Sequence, residues 1–283
     1  MKSSLRRLLR PPRVDVWRGW YRAYDKNPFE VDPGGVSRER FLDLADQARQ
    51  NDALLAALGE RFGDLPDREL VDELALATQV VPKDEELDWS HGYLLYAALG
   101  SYLRRTPSDR PVTIFETGTA RGFSALCMAQ ALRDAGRAGT ILTVDVLHAE
   151  RPIYWNSIAD VAGPRTRLEL LARWSELVED HIVFLRGDVD IALEQLGLAR
   201  IHFAFLDAEH TYDAVRRELA FVTAHQRPGD VIVCDDYTPS AFPEIVRAVD
   251  ELGASGGYEL ETYVSSDVRG YAYLEWSRVD SSG

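Results

Sequence analysis

Hydrophobic positions along the chain follow two different periods. From Ser37 to about Arg105, apolar residues recur at three- and four-residue spacings, as on one face of a helix. Beyond Pro111, short β-prone apolar runs alternate with stretches of helical spacing. The pattern therefore predicts a helical extension followed by an α/β domain whose strands are mostly parallel.

Five apolar runs in the second part of the chain predict the core strands of a sheet. Each is short and ends in turn residues or an acid, as is typical of strands buried on both faces. The runs are Val112–Phe115, Thr140–Asp145, His181–Asp188, Ile201–Leu206 and Val231–Cys234. Two alternating stretches near the C-terminus, 258–264 and 271–275, flank a polar turn and predict a hairpin that closes the sheet.

Length and charge narrow the class of protein. A chain of 283 residues can bury a full core, and its length fits one large α/β domain plus an extension. Its 32 basic and 46 acidic residues give a net charge of −14, which argues against a nucleic-acid or anionic-membrane surface and favours a small-molecule partner. Cys127 and Cys234 both fall in predicted core elements, so the sequence suggests neither a disulfide framework nor a zinc site.

The first 36 residues carry aromatic and basic side chains but no recognisable chemistry. Two interpretations stay open: an arm that packs on its own domain or on a partner subunit, and a flap over the substrate. We expect a homo-oligomer, because these aromatics have too little neighbouring sequence to form their own core. The sequence has no recognisable export signal and no run near the roughly 18 apolar residues of a membrane span, so we expect a cytoplasmic protein.

The stretch Glu116–Gly122, E-T-G-T-A-R-G, joins the first predicted strand to a helix and is predicted to be a ligand site. Gly118 and Gly122 allow a sharp turn and a close ligand, and the free N–H groups that begin the next helix favour a negative group. The spacing differs from the G-x-G-x-x-G of dinucleotide sites, which disfavours a nicotinamide cofactor. The alternative is that the glycines only make a tight connection between strand and helix.

Asp145 ends the second predicted strand. At this position of a Rossmann-like sheet an acid reaches the hydroxyls of a ribose, and a turn-forming aspartate is the alternative. Trp89 and His91, at the start of the last helix before the sheet, either border the same ligand or only pack.

Acids also follow the fourth and fifth predicted strands, as Asp207 and as the pair Asp235 and Asp236. Strand ends of an open parallel sheet face the ligand crevice, so the three carboxylates should converge. Two unit charges about 4 Å apart repel by roughly 4 kcal/mol at an effective dielectric of about 20, and no Lys or Arg is adjacent to these acids in the sequence. A hard divalent cation with oxygen ligands would relieve this repulsion.

From Trp89 to the C-terminus, these motifs resemble those of the class I S-adenosylmethionine-dependent methyltransferases, and specifically the metal-dependent small-molecule O-methyltransferases that act on sugar hydroxyls of natural products. The more diagnostic part is the acid-x-x-His of Asp207–His210, followed by the acid pair Asp235–Asp236. The resemblance implies an α/β fold, a Rossmann-like seven-stranded sheet with the last strand antiparallel, formed by residues 106–283. Residues 1–105 would then be an N-terminal arm and helical extension.

The resemblance also implies which residues hold the cofactor, S-adenosyl-L-methionine. In such enzymes the first half of the sheet surrounds it, and the pair Gly187 and Asp188 lies near the adenine. A helix N-cap is the alternative role for Asp188. The implied contacts are Glu116, Gly118, Thr119, Gly122, Phe123, Ser124, Asp145, Gly187 and Asp188.

In the same enzymes Mg²⁺, or another divalent cation, is bound by the first acid and the acid pair, here Asp207, Asp235 and Asp236. The implied catalytic residues are Asp207 and His210. Methyl transfer from a sulfonium is an in-line displacement, which needs a hydroxyl held against the methyl carbon and made nucleophilic. The cation would lower the pKa of the hydroxyl and His210 would remove its proton; a helix cap or a structural hydrogen bond is the alternative role for His210.

The expected function is therefore Mg²⁺-dependent O-methylation of a hydroxylated small molecule, most consistent with a sugar or a glycosylated natural product. Two other classes stay open, a metal-dependent hydrolase and a cofactor-binding protein that transfers no methyl group. The acceptor itself, whether sugar, phenol, lipid or polyketide, is not readable, because the first hundred residues lie outside the shared motifs.

Overall fold

The computed structural model describes residues 37–48, 51–82, 87–107 and 109–277, and residues 1–36, with the sequence prediction made for them, lie outside this part. Seven strands in the described part form one sheet, in the order β3-β2-β1-β4-β5-β7-β6. β1 to β5 are parallel, and β7 runs antiparallel to both of its neighbours. The strands are β1 Val112–Thr117, β2 Gly139–Asp145, β3 Ile182–Arg186, β4 Phe203–Leu206, β5 Val231–Cys234, β6 Tyr258–Ser266 and β7 Arg269–Trp276.

The predicted fold class is confirmed: the sheet is Rossmann-like, its last strand is antiparallel, and helices precede it in the chain. Within the described residues the α-helices are α1 Arg38–Gln47, α2 Asp52–Phe62, α3 Arg68–Thr78, α4 Ser90–Arg105, α5 Phe123–Asp134, α6 Arg167–Leu170, α7 Ser175–His181, α8 Val189–Gln195, α9 Tyr212–Ala224 and α10 Pro243–Ala254. Two 3₁₀ helices, Ile158–Ala162 and Ala172–Trp174, lie between β2 and β3.

β4 and β5 are apolar throughout because both faces of the sheet are covered there. Successive side chains of a strand point to opposite faces, and in β5 Val231 and Val233 join one buried cluster while Ile232 and Cys234 join the other. The first cluster is completed by α1 to α5 and α7, and the second by α9 and α10. Each strand therefore spans two hydrophobic cores.

The helical extension shares the first of these cores with the sheet. The N-cap residues of α1, α2 and α3 are Ser37, Asn51 and Asp67. The side chain of each accepts a backbone N–H group of the first turn. α4 packs closely on α5, where a side chain on Gly92 would stand 2.6 Å from the ring of Phe123. The extension is thus continuous with the core of the α/β part, although its sequence lacks the motifs found there.

The segment between β2 and β3 is irregular. It contains short pieces, α6, α7 and the two 3₁₀ helices, and an isolated bridge between Ile153 and Arg165. Trp155 lies at its centre and is fully buried. No α-helix in the described residues is both long and apolar enough to cross a membrane.

The end of β1 touches the end of β4 at Gly118. This glycine has φ +85°, and a Cβ atom there would lie 1.8 Å from the carbonyl oxygen of Asp207. Both the dihedral angle and the contact exclude a side chain.

We predict that Gly118→Ala costs about 3 kcal/mol or more of folding stability, because the new Cβ meets backbone that cannot move aside and the dihedral becomes strained. Thermal and urea unfolding measure this loss. Gly197→Ala is the matched control, since its Cβ would have no atom within 4 Å. Equal stability of the two variants would contradict the close approach.

Candidate active site

The carboxyl ends of β1, β2, β4 and β5 surround a cavity of about 670 Å³. Strand ends of an open α/β sheet form its ligand crevice, so the cavity lies where this fold is expected to bind. One end is lined by the turn after β1 and by Asp145, and the other by the acids after β4 and β5. Its lining includes Gly118–Arg121, Phe123, Ser124, Val144–Leu147, Asp188–Asp190, Asp207–His210, Asp235, Asp236, His91 and Arg269.

The turn after β1 is built from left-handed backbone positions. Gly118, Ala120 and Gly122 have φ values of +85°, +45° and +93°. The turn brings Thr119, Phe123 and Ser124 to the cavity wall. Gly122 itself does not line the cavity; a Cβ there would stand 2.9 Å from a side-chain carbon of Leu171.

Glu116 lies directly behind this wall rather than on it. It is fully buried, and the hydroxyl of Ser124, which does line the cavity, donates to its Oε1 atom. Its Oε2 atom is buried and accepts no hydrogen bond from the described residues. Burial raises the pKa of Glu116 to about 7.

Asp145 lies on the cavity wall at the end of β2. Its Oδ2 atom accepts the backbone N–H of Ala120 at 2.5 Å, and its Oδ1 atom accepts that of Leu147 at 2.6 Å. Burial raises the pKa of Asp145, and the positive charge of Arg167 opposes that rise. Each carboxylate oxygen keeps a second lone pair, so the group can accept two further hydrogen bonds from a ligand.

Gly187 and Asp188 follow β3 and differ in position. The N–H of Gly187 donates to the carbonyl of Asp145 at 2.9 Å, and Gly187 does not line the cavity. Asp188 lines the cavity and is also the N-cap of α8, where its Oδ1 atom accepts the N–H of Ile191 at 3.3 Å. The two roles weighed for Asp188 from the sequence are therefore compatible.

Asp207, His210 and Asp236 form the group best placed to hold a cation, since one ligand atom from each lies within 4.8 Å of the others. The Nε2 atom of His210 is 3.3 Å from Asp236 Oδ2 and 3.9 Å from Asp207 Oδ1. Asp236 has φ +55°, an uncommon backbone angle for a residue with a side chain. Strain of this kind concentrates at functional sites.

The pKa values of this group are shifted by its own charges. Enclosure in the cavity wall and the neighbouring carboxylate of Asp235 raise the pKa of Asp207 well above its usual range. The carboxylates of Asp207 and Asp236 raise the pKa of His210. His210 does not cap α9, because that position is taken by Thr211, whose hydroxyl accepts the N–H of Ala214.

Asp235 does not belong to this group. An arginine that the sequence does not reveal as its neighbour lines the same cavity. The Oδ1 atom of Asp235 accepts the N–H of Asp236 at 2.8 Å. Arg269, at the start of β7, lines the same cavity; burial opposes its charge, but Asp235 and other anionic neighbours raise its pKa. The basic neighbour that the sequence around Asp235 lacks thus comes from the hairpin, because the strand order places β7 next to β5.

Of the two residues at the start of α4 that were weighed from the sequence, His91 lines the cavity, whereas Trp89, the residue just before the helix, packs. Trp89 is buried, and its Nε1 atom donates to Asp72 at 3.2 Å. His91 lies 4.9 Å from the ring of Phe123, and burial lowers its pKa. His91 is therefore a neutral, buried edge of the cavity.

Comparisons with known proteins bear on the class of this site. Residues 115–237 match a family model described as a methyltransferase domain. No curated protein sequence matches the chain.

Solved structures share the fold of this chain at low sequence identity. A Klebsiella pneumoniae protein named as an O-methyltransferase is similar with a TM-score of 0.52 and 20% identity, over 81% of this chain and 96% of that one. The O-methyltransferase TomG of Streptomyces achromogenes, in complex with S-adenosylmethionine, gives a TM-score of 0.52 and 18% identity over 80% and 96% of the two chains. The O-methyltransferase NovP gives 0.51 and 18% over 80% and 98%.

Most of the residues that line the cavity at the strand ends lie in the stretch 115–237, which matches the model of a methyltransferase domain. This cavity is therefore the candidate active site.

We predict that the protein binds S-adenosylhomocysteine, whereas NAD binds weakly or not at all, and that Asp145→Ala weakens binding of the former by about 10-fold or more through lost charge-assisted hydrogen bonds. Isothermal titration calorimetry measures both. Asp180→Ala, which removes an exposed acid of α7, is the control and should bind as the unchanged protein does. Tight NAD binding without S-adenosylhomocysteine binding would contradict the cofactor assignment.

Proposed function

We propose that the protein is a divalent-cation-dependent O-methyltransferase that acts on a hydroxyl of a small molecule, with Mg²⁺ as the expected cation. The observation that carries the proposal is a single cavity with a cofactor-type turn and Asp145 at one end and an Asp-His-Asp group at the other. A methyl donor and a deprotonating group are both needed for O-methylation, and one cavity could hold both.

The residues of the first end fit S-adenosylmethionine. The hydroxyl of Ser124, on the cavity wall, donates its proton to buried Glu116, so its oxygen is left to accept a donor such as the amino group of the amino-acid part. Asp145 has lone pairs left for two ribose hydroxyls. The acids on the wall also suit the positive charge of the sulfonium.

The residues of the other end fit a hard divalent cation. Asp207 and Asp236 offer carboxylate oxygens, the ligands that Mg²⁺ prefers, and Asp235 adds a third negative charge nearby. Burial is the main cause of the raised pKa of Asp207, and the neighbouring carboxylate of Asp235 adds to it, so a bound cation would relieve that part of the repulsion. We therefore assign Asp207, Asp235 and Asp236 to the cation, with Asp207 and Asp236 as the nearer pair.

His210 is proposed as the general base. A bound divalent cation supplies positive charge that lowers the pKa of a hydroxyl held beside it. Because Mg²⁺ prefers oxygen ligands, the imidazole of His210 is left to accept the proton of that hydroxyl. The ring packs 4.8 Å from Phe242, and its side chain is 41% exposed, so it is held on one side and open on the other.

The acceptor is proposed to be a sugar or another hydroxylated natural product. TomG is described as taking part in tomaymycin synthesis, which lends support by analogy of fold alone. The competing classes, a metal-dependent hydrolase and a binding protein without turnover, leave either the cofactor turn or the His-Asp group without a use. We further propose a cytoplasmic homo-oligomer in which residues 1–36 serve the assembly or cover the site; they lie outside the described residues.

We predict that incubation with S-adenosylmethionine, Mg²⁺ and a panel of hydroxylated acceptors gives a product one methyl group heavier, detected by mass spectrometry. Dialysis against EDTA, Asp207→Ala and Asp236→Ala should each abolish this product, while S-adenosylhomocysteine binding survives because it uses the other end of the cavity. Asp180→Ala, an exposed acid on α7, is the control. Full turnover in EDTA would remove the cation from the mechanism, and hydrolysis without cofactor would favour the hydrolase.

We predict that His210→Ala lowers turnover by about 10²- to 10⁴-fold, the usual loss of a general base, while cation binding persists. Only neutral imidazole accepts a proton, so the His210-dependent activity should rise with pH through the pKa of that residue. Because Asp207 and Asp236 raise that pKa, NMR titration of the cation-free protein should place it above the ordinary value of about 6.5. His225→Ala, remote from the cavity, is the control, and an unchanged pH profile in an active His210→Ala enzyme would exclude the base.

A further inference from the structure

The irregular segment between β2 and β3 is hydrogen-bonded to two consecutive residues of the turn Gly118–Gly122, called the cofactor turn below. The Nε atom of Arg121 donates to the carbonyl of Trp155 at 2.5 Å, and the Nε atom of Arg167 donates to the carbonyl of Ala120 at 2.9 Å. Trp155 is itself tied into the segment, since its indole N–H donates to the carbonyl of Arg165 at 2.8 Å. A segment without a recognisable motif therefore holds the turn in place.

Ala120 is the strained point of that turn. Its φ of +45° lies in the left-handed region, which an alanine rarely adopts. Such backbone persists only where its surroundings fix it. Here both of its polar backbone groups are bound: Asp145 accepts the N–H at 2.5 Å and Arg167 donates to the carbonyl.

Asp145 and Arg167 also face each other directly. The Nη2 atom of Arg167 lies 3.6 Å from Asp145 Oδ2, and the two side chains are 2% and 9% exposed. The guanidinium is held between the rings of Trp155 and Phe184, at 5.4 and 5.3 Å from their centroids. The Nη2 atom donates no hydrogen bond among the described residues, so its interaction with Asp145 is electrostatic.

We propose that Arg167 is a positioning residue of the cofactor site, which clamps Ala120 and Asp145 together so that the carboxylate is presented to the ribose hydroxyls. This inference rests on the proposed role of Asp145. The carboxylate has one oxygen on the N–H of Ala120 and the other on that of Leu147. If Ala120 relaxes, the carboxylate loses one of its two anchors and turns away from the geometry that a pair of hydroxyls requires.

The arrangement gives Arg167 a signature that a merely structural residue lacks. Replacing a residue that only supports the fold would weaken the binding of every ligand of the cavity alike. Replacing a residue that acts through Asp145 weakens the binding of a ligand with ribose hydroxyls and leaves the binding of a ligand without them unchanged. The effect of the variant and the effect of removing the hydroxyls should therefore be strongly coupled.

The test compares binding of S-adenosylhomocysteine with that of its analogue lacking both ribose hydroxyls, by calorimetry in competition format and without cation or acceptor. Arg167→Met should weaken S-adenosylhomocysteine by about 10- to 100-fold, as expected for a lost charge-assisted hydrogen bond, and weaken the analogue by less than about 3-fold. Arg173→Met is the matched control, since that side chain is 65% exposed and pairs with Glu73, and it should change neither.

Arg167→Lys keeps the proposal testable if the methionine variant does not fold. A single ammonium group can engage Ala120 or Asp145 but does not reproduce the planar fork, so S-adenosylhomocysteine should weaken by about 3- to 10-fold and the analogue should be unaffected. Equal losses for the two ligands, or no loss for either, would overturn the positioning role. Failure of the unchanged protein to bind S-adenosylhomocysteine would instead overturn the cofactor assignment, so the two failures are distinct.

Discussion

The close approach of Gly118 to Asp207 is the contact on which the rest of the site depends. Gly118 belongs to the cofactor turn and Asp207 to the acidic group, and no Cβ atom fits between their backbones. The N–H of Asp207 also donates to the carbonyl of Thr117 at 3.1 Å. The turn after β1 and the acidic group after β4 are thus joined through backbone atoms, which are the least able to shift. The proposed methyl transfer would need its two reactants held in one fixed geometry, and this junction would keep the two ends of the cavity at a constant spacing.

The second constraint is the negative charge of the acids around the cavity. Arginines from regions that carry no motif offset part of it. Asp145 faces Arg167 from the segment between β2 and β3, and Arg269 from the hairpin lines the same cavity as Asp235. Asp207 and Asp236 lie beside His210, whose Nε2 atom is 3.9 Å from Asp207 Oδ1 and 3.3 Å from Asp236 Oδ2.

The sequence predicted what depends on local pattern. Strands β1 to β5 were predictable because both faces are buried, and the hairpin because its residues alternate. The left-handed turn was foreseeable from its glycines, but the same angle at Ala120 was not, since alanine gives no signal for it. Glu116 was predicted to contact the cofactor, and only the packing of Ser124 in front of it shows that it lies one layer back. The roles of Arg167 and Arg269 could not be predicted from the sequence. Any arginine on a suitably placed loop can supply a positive charge, and the sequence does not say which loop lies beside the acids.

The buried carboxyls of the cavity have a cost in folding stability that fits a site made for cationic ligands. Burial raises the pKa of both Glu116 and Glu218 to about 7 from 4.5. For an acid whose pKa is higher in the folded state, the unfolded chain ionises first, so stability falls as the pH rises from about 4.5 towards 7. Ligands that bind only the folded state return stability by mass action. In the proposed function, the methyl donor and the cation would therefore return part of the stability that these buried carboxyls cost near neutral pH.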